Sequence, residues 1–459
     1  MKAKTIFTLV SVSLAALMIC VEYTGIVIVI LPASKSLGLS LFQTQLMISL
    51  YLFLFVLAII PAGRFGDIVG YKTILMMGIF VFTVGSLLGG TAHNAYQIML
   101  GRALQGLGSA LMWPNITTTA FRSVDKNRRF LVIGIITSIV GFSMAAAPFL
   151  AAYLCTVLSW RWFFLFNVPV GALIFLYAGF FIAIQQPKLP QRIDVMGLFV
   201  FFLMLITFLI GINFLKNERF FYFVGAIAVS FIMFRWFLFR EKKTKHPLID
   251  LSLFESRNFL FGCLARCLVS FSFYAVLFIM SLYLHRGLGY SVFASGVAFL
   301  PMTLAIGVLS PIVGRLNALI KPEWMTILGL FLFAVSGVFF MGLDAQTSKV
   351  ILFLMFMLPG VAYSLLSPGL LTISISVQTV PENKTGLATG VFYTAGVLGN
   401  LLGVSFSGII LNYFEVRVTK GVLIHAMPPI MLMCSMCAML ALLVIFLLRL
   451  SSRKKFTAF

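Results

Sequence analysis

The sequence predicts an all-α integral membrane protein built from two six-helix bundles and two extra central helices. Three observations carry this. Hydrophobic residues make up 61% of the 459 residues and charged residues only 10%, with a mean hydropathy of +1.10; soluble domains are about 45–50% apolar and about 25% charged. The apolar residues fall into fourteen runs, each near the ~20 residues that a helix needs to cross a bilayer. The 33 Lys and Arg lie almost wholly in the short segments between those runs. A net charge of +21 can signal nucleic acid binding, but basic residues placed in short loops are what membrane topology demands. The expected partner is therefore the lipid bilayer, with no nucleic acid.

In chain order the spans are expected at about 6–31, 43–62, 73–92, 96–120, 130–154, 161–184, 196–215, 220–239, 259–284, 292–314, 325–343, 350–376, 387–411 and 427–449. The first has no small-residue cleavage site after a short apolar core, so it reads as a retained span. The second and third are joined by a turn bearing Gly63, Arg64, Gly66, Asp67, Gly70 and Lys72, whose glycines permit a tight bend. The fourth carries Arg102. The fifth holds Ala147, Pro148, Ala151 and Ala152, small residues that let helices approach closely. The seventh and eighth are an inserted pair. Ahead of the ninth, residues 240–258 read either as a short surface helix meeting anionic lipid or as a solvated linker. The expected units are 1–184, 185–245 (the inserted pair), 246–449 and a basic tail, 450–459.

An even number of spans puts both termini on one side. Loops on that side carry 23 of the 33 basic residues, counting Arg235 at a helix end, and loops opposite carry eight, with Arg102 and Arg266 inside spans. The bias places both termini in the cytoplasm. The asparagines of Asn115-Ile-Thr and Asn383-Lys-Thr then lie in or beside the membrane on the cytoplasmic side, and neither is expected to be glycosylated. The six cysteines all sit in apolar segments, where Cys behaves as a small hydrophobe. No metal site, disulfide framework, cofactor or nucleotide-binding loop is visible, and an enzyme is not expected.

The chain repeats itself at an offset of about 250 residues. Gly63-Arg64 matches Gly314-Arg315, Thr73-Ile74-Leu75 resembles Thr326-Ile327-Leu328, and GLGSALMWPN (106–115) resembles GVAYSLLSPG (360–369). Repeated bundles are a transporter architecture, with the substrate site between them near the midplane. The repeat is chemically unequal. Asp67 has no acidic counterpart, and Phe356 stands where the first half has Arg102. The N-terminal half is therefore expected to handle protons.

Glu22 is the one acidic residue within the long apolar runs, and intramembrane charges usually mark an ion or substrate pathway. It lies about nine residues before the end of span one, and Arg102 about six residues into span four. At about 1.5 Å per residue these are roughly 13 and 9 Å from the same surface, so the two can meet. A carboxylate alternating between a cationic and an apolar setting can load and release a proton; the other reading is a fixed structural ion pair. Arg266 either snorkels to the interface or meets an anionic substrate or gate. Asn115 and Asn400 read as hydrogen-bonding either substrate or neighbouring helices. Trp113, Phe271, Tyr274 and Tyr393 are candidates for an aromatic cavity.

Five segments in order resemble the major facilitator superfamily, and within it the fourteen-span drug:proton antiporters of the multidrug-resistance type. These are GRFGDIVGYK (63–72), GRALQGLGSALMWP (101–114), SWRWFFLFNVPVG (159–171), HPLIDLSLFESRNF (246–259) and TGLATGVFYTAGVLGNLLG (385–403). The resemblance implies the major facilitator fold. It also implies that Asp67 contacts a helix N-terminus of the other half near Thr385–Gly390, stabilising the outward-facing state. Two departures stand out. The fifth-span motif, normally Gly-Pro followed by two Gly, reads Ala147-Pro148-Phe149-Leu150-Ala151-Ala152. Glu22-Tyr23-Thr24 stands one residue further from Leu31-Pro32 than the family's acidic residue does.

The expected activity is proton-coupled export of small amphipathic or drug-like molecules by alternating access in the cell membrane, bacterial inner or plasma. The alternative is a dedicated exporter of a metabolite such as a siderophore or amino acid. The small-molecule substrate and protons are the ligands, and a separate efflux adaptor is left open.

Overall fold

The computed structural model describes residues 3–124, 129–182, 194–216, 220–244, 247–316, 319–343, 347–374, 380, 385–417 and 422–456. The regular structure in these residues is helical throughout. The long helices are α1 (Ala3–Ser36), α2 (Leu41–Val69), α3 (Tyr71–Gly90), α4 (Ala95–Arg122), α5 (Arg129–Val157), α6 (Arg161–Leu165) with α7 (Asn167–Phe181), α8 (Val195–Lys216), α9 (Phe220–Lys243), α10 (Arg257–Leu282), α11 (Val292–Leu316), α12 (Pro322–Met341), α13 (Lys349–Ser374), α14 (Thr385–Arg417) and α15 (Val422–Phe456). The expected sixth span is bent after Leu165. Pro169 in the first turn of α7 has no N–H to offer residue 165, so the helix ladder is interrupted there.

Counting α6 and α7 together, thirteen of these helices are long and apolar enough to cross a membrane. The exception is α4, whose 28 residues span about 42 Å at 1.5 Å per residue. Its hydropathy is diluted by polar residues that it turns inward: Arg102, Gln105, Ser109, Asn115 and Thr119 are all buried. With α1, α2 and α3 packed around it, α4 exposes little of this polarity to lipid. At the other end, α15 runs through the expected basic tail as far as Phe456. A helix longer than the hydrocarbon simply continues past it, whereas an apolar run reports only the buried part.

Helices α1–α7 pack among themselves, as do α10–α15, and the two groups meet chiefly where α5 packs on α11 and α2 on α14. The pair α8–α9 packs mainly on itself and touches α2 and α14 lightly. The internal repeat is visible in the packing. A Cβ on Gly106 of α4 would stand 2.3 Å from the carbonyl oxygen of Tyr51 in α2. A Cβ on the matching Gly360 of α13 would stand 2.3 Å from the carbonyl oxygen of Met302 in α11. Each half thus brings its second and fourth helices into backbone contact at the same glycine.

Candidate functional site

Glu22 of α1 and Arg102 of α4 are fully buried and form an ion pair, Arg102 Nη1 donating to Glu22 Oε1. The same nitrogen donates to Gln105 Oε1 at 2.8 Å, one helical turn on. Arg102 Nε donates to the Met47 carbonyl oxygen of α2 at 2.9 Å. The guanidinium lies over the Tyr51 ring at 4.4 Å, and the Tyr51 hydroxyl is 2.8 Å from Ser109 Oγ. Asn167 of α7 donates from Nδ2 to Glu22 Oε2 at 3.1 Å, and Gln105 Nε2 donates to Ser86 of α3 at 2.9 Å. Five helices therefore contribute to one polar cluster, with α4 and α7 bonding the α1 carboxylate directly. Two atoms of the cluster, Arg102 Nη2 and Asn167 Oδ1, are buried without a hydrogen-bond partner. Leaving a buried donor unmade costs about 1–3 kcal/mol, so this network has spare bonding capacity for a rearrangement.

The segment 63–72 is arranged differently from its expected turn. Gly63 and Gly66 lie inside α2, and only Gly70, with φ 112°, makes the bend to α3. Gly66 serves contact instead: a Cβ there would meet Asn115 Oδ1 at 2.2 Å and the Tyr71 ring at 2.7 Å. Asp67 accepts a hydrogen bond from the Tyr71 hydroxyl, and Arg122 lies over the Tyr71 ring at 4.6 Å. Arg64 donates to the Pro247 carbonyl oxygen at 2.6 Å, and Lys72 to that of Gly179 at 2.8 Å. The hydrogen bond seen for Asp67 is thus made within its own half, and its expected seat near Thr385–Gly390, at the start of α14, adjoins residues 381–384, which lie outside the described residues.

Aromatic side chains gather where the two groups of helices face each other. Tyr274 of α10 donates its hydroxyl to the Tyr23 carbonyl oxygen of α1, the rings 5.0 Å apart. Trp113 of α4 meets Tyr393 of α14 edge to face at 5.5 Å. Arg266 does not snorkel to the interface. It turns toward α13 and α14, donating to the Tyr363 hydroxyl at 3.2 Å and lying 5.7 Å from the Phe392 ring. Phe271 lies 6.0 Å from the Phe406 ring in the α10–α14 packing, with its backbone close against Gly399 and Gly403. Asn115 donates to the carbonyl oxygens of Ala62 and Leu111, at 3.3 and 2.7 Å, and so serves helix packing. Asn400 is buried in α14. On α5, Ala147, Pro148, Ala151 and Ala152 are buried; a Cβ on Gly296 of α11 would meet Ala152 Cβ at 2.3 Å and the Pro148 carbonyl oxygen at 2.9 Å. A cleft of about 170 Å³ lies between α2, α8 and α14. Gln45 in its wall donates to the Val404 and Ser405 carbonyl oxygens at 3.1 and 3.3 Å.

Asn167 and Gln105 are functional neighbours that the sequence reading missed. The available signals were an Asn opening an otherwise apolar run and a Gln one turn from Arg102.

Two helical groups meeting along α2–α14 and α5–α11, with a carboxylate–guanidinium pair sealed inside one of them, define a multi-pass membrane transporter. The profile of the major facilitator superfamily matches residues 12–404 and 262–457, and the chain belongs to that superfamily. It is a transporter and not an enzyme. It is 28% identical over 410 residues to the tetracenomycin C resistance and export protein of Streptomyces glaucescens, covering 88% of this chain and 75% of that one. It is 25% identical over 420 residues to the methylenomycin A resistance protein of Bacillus subtilis, covering 89% and 88%. Among solved structures, a POT family transporter in complex with 5-aminolevulinic acid superposes with a TM-score of 0.71 at 15% identity, covering 97% and 96%; at that identity the likeness is one of fold.

Proposed function

We propose that the protein is a proton-coupled exporter of small amphipathic or drug-like molecules, working by alternating access with both termini in the cytoplasm, and that it belongs to the fourteen-span drug:proton antiporters. The observation that carries this reading is the buried Glu22–Arg102–Asn167 cluster. A carboxylate there is stabilised by one guanidinium and one amide in a site otherwise closed to water. Moving α1 against α4 or α7 weakens those contacts and favours the neutral acid, so protonation and helix position are linked. Substrate that prefers one helix arrangement then shifts the same equilibrium as the proton does. Relatives that carry the words resistance and export in their names support the outward direction. The aromatic side chains Trp113, Tyr274 and Tyr393, with Arg266 beside them, are the proposed substrate surface, suited to flat amphipathic molecules.

The test is flux in proteoliposomes loaded with a pH dye, driven by gradients of amphipathic antibiotics and dyes. Wild-type protein should move protons when a substrate gradient is imposed, and Glu22→Gln should not. Substrate-driven proton flux persisting in Glu22→Gln would remove Glu22 from the coupling step.

A further inference from the structure

Arg64 of α2 and Glu241 of α9 hold the linker between α9 and α10 at points two residues apart. Arg64 Nη2 donates to the Pro247 carbonyl oxygen at 2.6 Å. Glu241 Oε2 accepts from the Ile249 N–H at 2.9 Å. The linker so held is buried, with Leu248 2% and Ile249 9% exposed, and Glu241 itself is 3% exposed. The two side chains carry opposite charges and lie within electrostatic reach of each other, yet each keeps a buried atom, Arg64 Nε and Glu241 Oε1, without a hydrogen-bond partner. What they share is the linker, not a direct ion pair.

The α9 end of this arrangement is fixed in place. Arg240 forks onto Asp194, the residue preceding α8, with Nη2 2.6 Å from Oδ1 and Nε 3.0 Å from Oδ2. Asp194 Oδ1 also accepts from the Gly197 N–H at 3.0 Å, and Thr244 donates to Oδ2 at 3.3 Å. Gly197 leaves room for both acids: a Cβ there would stand 2.7 Å from Asp194 Oδ2 and 3.0 Å from Glu241 Oε1. These contacts fix α8 and α9 to each other; because the pair otherwise touches the bundles lightly, the Arg64 bond to the linker is a polar tie from the first bundle to its end.

We propose that Arg64 and Glu241 are the two jaws of a clasp on residues 247–249, tying the inserted pair α8–α9 to the 63–72 segment. Glu241 is a positioning residue that acts through the linker on Arg64. Movement of the α2–α3 turn during transport is thereby passed to the inserted helices, which gives the extra pair a role besides lining the bilayer.

The experiment needs no transported compound, so its result is independent of the antiport reading. Full-length Ile249→Cys protein in detergent is reacted with a water-soluble maleimide, and the rate is corrected for the parent without the added cysteine. It is repeated with Glu241→Leu, Arg64→Leu, both together, and the conservative Glu241→Gln and Arg64→Lys. Each leucine variant should raise the labelling rate about fivefold, and the double variant should exceed the faster single by less than about twofold, because one clasp can be opened only once. The conservative variants keep an acceptor and a donor and should stay within about twofold of the parent. Unchanged labelling in either leucine variant, multiplied effects in the double variant, or Glu241→Gln labelling as fast as Glu241→Leu would each overturn the clasp.

Discussion

Replacing Arg102 by Met tests whether the buried pair is held together by charge. Met fills a similar volume beneath the Tyr51 ring, so packing changes little. What changes is the polar accounting. Glu22 Oε1 loses its guanidinium, while Oε2 keeps the Asn167 amide at 3.1 Å. The Met47 carbonyl and Gln105 Oε1 lose donors at 2.9 and 2.8 Å. Removing one member of a buried pair typically costs about 3–5 kcal/mol. Glu22→Gln should cost a similar amount, about 3–5 kcal/mol, since it leaves the Arg102 cation buried without a counter-charge. In that variant the amide oxygen can still accept from Arg102, but the amide nitrogen then faces the Asn167 Nδ2 donor, so the second hydrogen bond to residue 22 is lost in that geometry. The double variant Glu22→Gln/Arg102→Met carries no buried charge, and neutral replacements of buried pairs are often harmless to stability. It should therefore regain at least half of the Arg102→Met loss. The assay is thermal unfolding of each purified protein in lipid nanodiscs, following the order of the midpoints. A double variant that melts at or below Arg102→Met would refute the argument.

Other predictions concern separate contacts. Asn167→Leu removes a hydrogen bond to the carboxylate worth about 1.5–3 kcal/mol and should lower substrate-driven proton flux in the pH-dye assay about tenfold or more, with membrane insertion unchanged on a fractionated blot. Gly106→Ala and Gly360→Ala each place a Cβ 2.3 Å from a carbonyl oxygen and should lower stability by similar amounts, about 1–3 kcal/mol, read as matched losses in melting temperature. Hydrogen bonding from Arg240, against a smaller opposing effect of burial, holds the Asp194 carboxyl below its ordinary value. The stability it confers is then complete above the ordinary Asp range near ~3.9 and fades as pH falls through the lowered value. The melting difference between wild type and Asp194→Asn should be constant from about pH 5 upward and shrink below about pH 4.

The helices were legible because an apolar run of bilayer length has few other destinies. The side-chain contacts were legible only in part. Depth along a helix follows from counting at about 1.5 Å per residue, and that count alone brings Glu22 and Arg102 to one level. Direction around the helix depends on how neighbours cross, and the sequence holds that information only diffusely. Asn167 stands 145 residues from its carboxylate partner and opens a helix whose start is set by Pro169, so its approach to Glu22 could not be counted out. Phe271 and Tyr274 are three residues apart, yet one packs on Phe406 and the other on Tyr23. The glycines of 63–72 show a related ambiguity. Glycine serves a bend or a close approach equally well, and here Gly70 does the first and Gly66 the second.

The two halves share their packing and divide their chemistry. Gly106 and Gly360 set the same backbone contact in each, so the helices around them are placed alike. Four residues before each glycine the halves part. Arg102 joins Glu22, Gln105 and Met47 in a polar cluster, while Phe356 is packed between Phe299 and Phe340 at 5.0 and 5.5 Å. An aromatic wedge of that kind has no bond to break when its surroundings shift slightly, whereas the ion pair depends on distance and on the proton inventory of its partner. On the proposed reading, a symmetric scaffold with one ionic and one aromatic centre would confine the response to protons to the α1–α7 half. The α10–α15 half is joined to it chiefly along α5–α11 and α2–α14, and the aromatic pairs that also bridge the halves, Tyr23 with Tyr274 and Trp113 with Tyr393, are the surface on which the proposed substrate would act.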